Sequence, residues 1–170
     1  HDVSNIWHVP IIIEKQGGVD AILQALNLPV TKPDTTEWKL RANKLDTLTK
    51  KVGIAVVGKY TGLSDSYLSV LKALLHAAVA AGHKLDLIWV AAEELQPEYK
   101  EKEPQKYKDA WANLERADGV LVPGGFGDRG VEGKILAAKY ARENRVPYLG
   151  ICLGMQLAVI EYARNVVGTS

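Results

Sequence analysis

The sequence predicts an α/β domain, doubly wound on a mostly parallel sheet. Three observations predict it. Four short apolar runs rich in β-branched residues recur after residue 50: Val52–Gly58, Leu85–Val90, Gly119–Val122 and Pro147–Ile151. Continuous runs of this length suit strands buried on both faces of a parallel sheet. Helical periodicity fills the intervals, and alternation of strand with helix is the signature of this class. Finally, two glycine-rich motifs directly follow the third and fourth runs, where such sheets bind ligands.

The elements follow in chain order. Residues 1–30 hold an apolar stretch, Val9 to Ile13. A helical pattern then runs through Val19, Ile22, Leu23 and Leu26, with Pro29 as a stop. Residues 31–50 are polar and read as a linker with helix around Trp38 to Leu48. The first strand leads to a helix through Tyr67, Leu68, Leu71, Leu74, Leu75 and Ala78. Ser64 and Asp65 are its candidate N-caps and Gly82 its C-terminal cap. The second strand is followed by 92–105, which carries two prolines and many charges and reads as a long surface connection. Trp111 and Leu114 mark a helix before the third strand, and Ile135, Leu136 and Tyr140 one before the fourth. A last helix starts near Gly154 and runs through Leu157, Ile160 and Glu161.

Composition excludes several classes of function. At 170 residues, nearly half of them apolar and a quarter charged, the chain can hold one domain with a core and some extra. A net charge of +1 without a basic stripe argues against nucleic acid. No apolar run is long enough to span a membrane, since Ile11-Ile12-Ile13 is followed by Glu14-Lys15, and no secretory pattern follows His1. The single cysteine forbids an internal disulfide, which fits a reducing, cytoplasmic setting.

That cysteine stands in Gly150-Ile151-Cys152-Leu153-Gly154-Met155-Gln156, after a strand and at the start of a helix. Gly-x-Cys-x-Gly is the nucleophile-elbow pattern with Cys for Ser. Flanking glycines allow the sharp turn, and the helix N-terminus favours thiolate over thiol. The other motif, Val122-Pro123-Gly124-Gly125-Phe126-Gly127-Asp128-Arg129-Gly130, brings a backbone close to something and can aim N–H donors at an oxyanion. It is not a Walker loop: Asp128 stands where Gly133-Lys134 would need a glycine, and Ile135 where Ser or Thr belongs. A nucleophile and oxyanion donors at one sheet edge together point to acyl transfer through a thioester.

Gly150–Gln156 resembles the nucleophile signature of the class I glutamine amidotransferases, whose sheet is flavodoxin-like. The glycine motif, Gly58-Lys59-Tyr60-Thr61, Asp65-Ser66-Tyr67-x-Ser69-Val70 and the opening Asp2–Pro10 are similar to the CTP synthase family within that class. The resemblance covers essentially the whole chain. It implies that 1–30 is the tail of a synthetase domain, 31–50 an interdomain linker, and 51–170 the N-terminal part of an amidotransferase domain left incomplete at the C-terminus. It implies that Cys152 attacks the glutamine amide, Gly125 and Leu153 donate N–H groups to the oxyanion, and Gln156, with Gly154 and Met155, helps hold glutamine. Phe126, Lys59 and Tyr60 would lie on the side where GTP activates. Ammonia would pass to the synthetase domain, which uses ATP and Mg2+ to aminate UTP to CTP in a homotetramer or filament. No cofactor or metal is expected in this part of the chain.

The family's histidine and glutamate partners do not occur before Ser170, so the chain reads as part of a longer protein, weak or dead alone. His1, His8, His76 and His83 read as structural or solvent-facing, Arg129 and Glu132 as a local ion pair or helix-start charges, and Trp7, Trp38, Trp89 and Trp111 as packing residues. The charges from Glu98 to Lys108 read as a solvated face. The alternatives are another class I amidotransferase, or a non-catalytic assembly or regulatory module.

Overall fold

A computed structural model describes residues 2–59 and 64–168, apart from the side chains of Ser64 and Asp65. The two residues expected to cap the first long helix therefore lie outside the described side chains, and His1 lies outside the described residues altogether. The chain forms two units, His1–Lys50 with Ala77–Lys84, and Lys51–His76 with Leu85–Ser170.

The first unit is helical. A 3-10 turn at Ile6–His8 leads into α1 (Val9–Lys15), α2 (Gly18–Ala25) and α3 (Thr36–Thr47). Asn5 caps the turn by accepting the Trp7 N–H at 3.0 Å. Asp46 on α3 gathers Ser4, Asn5 and His8 at 2.7–2.8 Å. The His8 hydrogen bond, then Asn5 and Ser4, hold its carboxyl below the usual range. His8 is thus structural, as its sequence context suggested. Trp38 is exposed, contrary to its reading as a packing residue.

The second unit is built on a four-stranded sheet of β1 (Lys51–Gly58), β2 (Lys84–Ala91), β3 (Gly119–Val122) and β4 (Tyr148–Gly150). All four lie where the apolar runs placed them. The order is β2-β1-β3-β4, with β1, β3 and β4 paired in parallel; Val56 stands opposite Leu121, and Leu121 opposite Leu149. The chain steps outward from β1 to β2, then crosses back to β3. The carboxyl ends of β1 and β3 therefore flank the switch point, where open α/β sheets bind ligands.

Alternation along the strands gives the sheet two faces. Ala55, Val57, Val120 and Val122 point into the main core with Ile88, Val90, Leu95 and Leu114. α6 (Pro104–Glu115) and α7 (Val131–Asn144) cover this face. Ile54, Leu121 and Leu149 line a cleft with Leu74 of α4 (Leu68–Ala80), which Gly82 ends at φ +76°. α8 (Leu153–Tyr162) follows β4 and passes into a π-helical turn, Ala163–Val167. Tyr67 and Trp89 pack with ring centres 6.1 Å apart and planes tilted by 40°.

The segment 92–105 departs from its reading as a surface connection. It folds as a 3-10 turn at Ala92–Leu95, α5 (Pro97–Lys102) and the start of α6, with Ala92 and Leu95 fully buried. Its two prolines occupy first-turn helix positions, where the missing N–H costs nothing. The charged residues Glu98, Lys100, Glu101, Lys102, Glu103, Lys106 and Lys108 are exposed, as expected. Trp111 does pack in the core and donates to the Leu95 carbonyl at 3.2 Å.

Candidate active site

Cys152 sits between β4 and α8 with φ +52° and ψ −107°, a conformation L-residues seldom adopt. Three backbone bonds hold it there: Ile151 N–H to Val122 O at 3.0 Å, Gly154 N–H to Ile151 O at 2.9 Å, and Gln156 N–H to Cys152 O at 3.1 Å. The two glycines of the motif are required by proximity. A Cβ on Gly154 would lie 2.1 Å from Val122 O, and one on Gly150 would lie 2.5 Å from Gly154 C. Tyr148 donates its hydroxyl to Gly154 O at 2.8 Å, and burial pushes that phenol up to about 12. The thiol is exposed.

The glycine loop after β3 runs alongside. A Cβ on Gly124 would lie 3.3 Å from Cys152 Cβ and 3.9 Å from its Sγ, so the loop backbone lies against the thiol. Among the described residues neither Gly125 nor Leu153 uses its N–H in a hydrogen bond. Leu153 opens α8, and the first N–H groups of a helix have no partner within it. Gln156 and Met155 are exposed on the first turn of α8, and Gly154 is buried beneath them.

At the switch point Lys59 Nζ donates to Phe126 O at 2.7 Å, and the Lys59 N–H donates to Tyr67 Oη at 3.2 Å. Phe126 itself is 94% exposed. The structure thus joins Lys59 to Phe126; Tyr60 lies outside the described residues. Arg129 and Glu132 do not pair with each other. Arg129 forms a two-pronged contact with Glu93 and holds that carboxyl below its usual range, while Glu132 meets Arg164 at 3.1 Å. His83 bonds Ala81 O at 2.9 Å, and His76 is exposed on α4.

Sequence reasoning missed Lys134, which is buried beside the loop with Nζ about 4.0 Å from where a Gly125 Cβ would stand. The signal was present: Lys134 falls at helical spacing from Ala137, Ala138 and Ala141 on the core face of α7. It also missed the role of Tyr148, whose hydroxyl holds the Gly154 carbonyl.

An exposed cysteine thus stands at a strand-to-helix elbow on a parallel sheet, with a glycine loop against it. Residues 62–170 match the family model for glutamine amidotransferase class-I, and the chain belongs to that family. The relatives narrow the likeness to CTP synthases. Over 98% of the chain it is 50% identical to CTP synthase 2 of Xenopus laevis, and over 99% it is 50% identical to CTP synthase 1 of Homo sapiens. It spans 29% of the length of each. A solved glutaminase domain of Trypanosoma brucei CTPS with bound acivicin superposes at TM-score 0.58 and 48% identity, over 69% of this chain and 42% of that one.

Proposed function

We propose that this chain carries the nucleophile of a CTP synthase glutaminase. The observation that carries the reading is the backbone of Gly124-Gly125 lying against the exposed Cys152 at the start of α8. The Cys152 sulfur attacks the side-chain carboxamide carbon of glutamine. The C–N bond breaks, the departing NH2 group takes up the proton the thiol gave and leaves as ammonia, and a γ-glutamyl thioester remains. Water then cleaves the thioester to glutamate and restores the thiol. The N–H groups of Gly125 and Leu153 face the oxygen that turns negative in both steps, where one such donor is worth about a hundredfold in rate or more. Gln156, Met155 and Gly154 form the floor on which glutamine lies.

In the whole protein the ammonia aminates UTP in a synthetase domain that binds ATP and Mg2+, within a cytoplasmic homotetramer or filament. GTP acts from the side of Phe126, Lys59 and Tyr60. The likeness to CTP synthases along nearly the whole chain supports these assignments.

The test is incubation of the protein with a glutamine-analogue diazoketone, followed by mapping of the adduct by mass. A single adduct on Cys152, absent from Cys152→Ala, is the expected result. Glutamine hydrolysis that survives Cys152→Ala would overturn the assignment.

A further inference from the structure

Lys134 is buried without an evident structural reason. Only 1% of it is exposed, on the core face of α7. Among the described residues its ammonium has no hydrogen-bond or ion-pair partner. It faces a cavity of about 420 Å³ lined by Lys59, Ser66, Tyr67, Gly125 and Phe126, with no carboxylate among them. The glycine loop runs between this ammonium and the thiol. A Cβ on Gly125 would lie about 4.0 Å from the Lys134 ammonium, and one on Gly124 3.9 Å from the Cys152 sulfur.

The side chain is buried while its ammonium opens onto the cavity, with no carboxylate beside it among the described residues; burial, and then the neighbouring Lys59 charge, lower the Lys134 pKa. The cost of holding that charge falls only when negative charge forms close by. In the reaction proposed above that happens twice, as the sulfur becomes a thiolate and as the carboxamide oxygen becomes an oxyanion.

We propose that Lys134 is a positioning residue for the glutaminase reaction: its ammonium keeps the potential behind the Gly124-Gly125 loop positive and favours negative charge on the reacting sulfur and oxygen. The inference rests on the glutaminase reading. Lys134 neither gives nor takes a proton and does not touch the substrate. Its interaction strengthens only as charge develops, so it acts on kcat rather than on KM.

The test compares Lys134→Met and Lys134→Arg in the full-length natural protein. Replacing a buried charge by an apolar side chain of similar size is commonly neutral or stabilising. Lys134→Met is therefore expected to melt at the wild-type temperature or above it, while kcat for glutamine hydrolysis falls about tenfold and KM stays within about twofold. Lys134→Arg restores most of the rate. Alkylation of Cys152 by iodoacetamide at neutral pH is expected to slow several-fold in Lys134→Met and to recover in Lys134→Arg. A folded Lys134→Met with wild-type kcat and alkylation rate overturns the proposal, as does a loss confined to KM. A melting temperature that drops with activity, unrescued by arginine, makes Lys134 a packing residue. If the wild type hydrolyses no glutamine, the glutaminase reading fails, and the alkylation comparison still decides whether Lys134 acts on the thiol.

Discussion

Cys152 holds a backbone conformation costing about 1–3 kcal/mol, which its three flanking hydrogen bonds must offset. Glycine adopts positive φ freely. Cys152→Gly is thus expected to stabilise the fold by about 1 kcal/mol relative to Cys152→Ala, which keeps the strain. Urea titration of the two variants measures the difference, and equal midpoints would mean the elbow is unstrained. Gly154 behaves oppositely. Any Cβ there meets Val122 O, so Gly154→Ala forces α8 off β3 and costs about 3 kcal/mol or more, read by thermal melting. The sharp turn at Cys152 and the need for both glycines were legible in the Gly-x-Cys-x-Gly spacing. Lys134 was not, because a lysine in sequence carries a strong expectation of solvent.

At the scale of elements, α7 and α8 are joined by an ion pair. Glu161 is 2% exposed and receives Arg142 Nη2 at 2.8 Å and Nε at 3.0 Å, with Asn165 alongside. The Arg142 hydrogen bonds hold the Glu161 carboxyl below its ordinary range. A lowered folded-state value means that the stabilisation is complete above the ordinary glutamate pKa of about 4.3 and is lost as pH falls through the lowered value. Melting temperature is therefore expected to drop below about pH 4, and part of that drop should vanish in Glu161→Gln. Arg142→Met takes away the charged partner and leaves the buried carboxylate with Asn165, so the melting temperature is expected to fall. The sequence could show neither partner, since the pairing depends on how two helices pack 19 residues apart.

The misread segment 92–105 has a similar cause. Its apolar anchors are few, Ala92 and Leu95, and its helices α5 and α6 begin at Pro97 and Pro104. Two prolines among many charges resemble a loop until the packing is known. The strands, by contrast, were plain because three-dimensional context only had to confirm continuous apolar runs.

At the scale of the molecule, β4 is a three-residue edge strand among the described residues, and large apolar side chains are exposed both on it and along α8. Leu149 is 55% and Val159 62% exposed, and a cavity of about 570 Å³ lies between Tyr148, Met155, Val159 and Tyr162. Exposed apolar side chains of this kind drive association. The 170-residue chain by itself is expected to self-associate at micromolar concentration, and Val159→Lys with Leu149→Lys to return it toward monomer. Light scattering decides, and a wild-type chain monomeric at high concentration would show them to be innocuous. No helix among the described residues is long and apolar enough to cross a membrane.

The tilted contact of Tyr67 with Trp89 has an optical consequence. Tyr67 Oη receives the Lys59 N–H, and Lys59 in turn holds the Phe126 carbonyl, so one indole is wired to the mouth of the site through three contacts. Emission from Trp89, isolated by replacing the other three tryptophans with phenylalanine, becomes a built-in gauge of what enters that mouth, readable without any label.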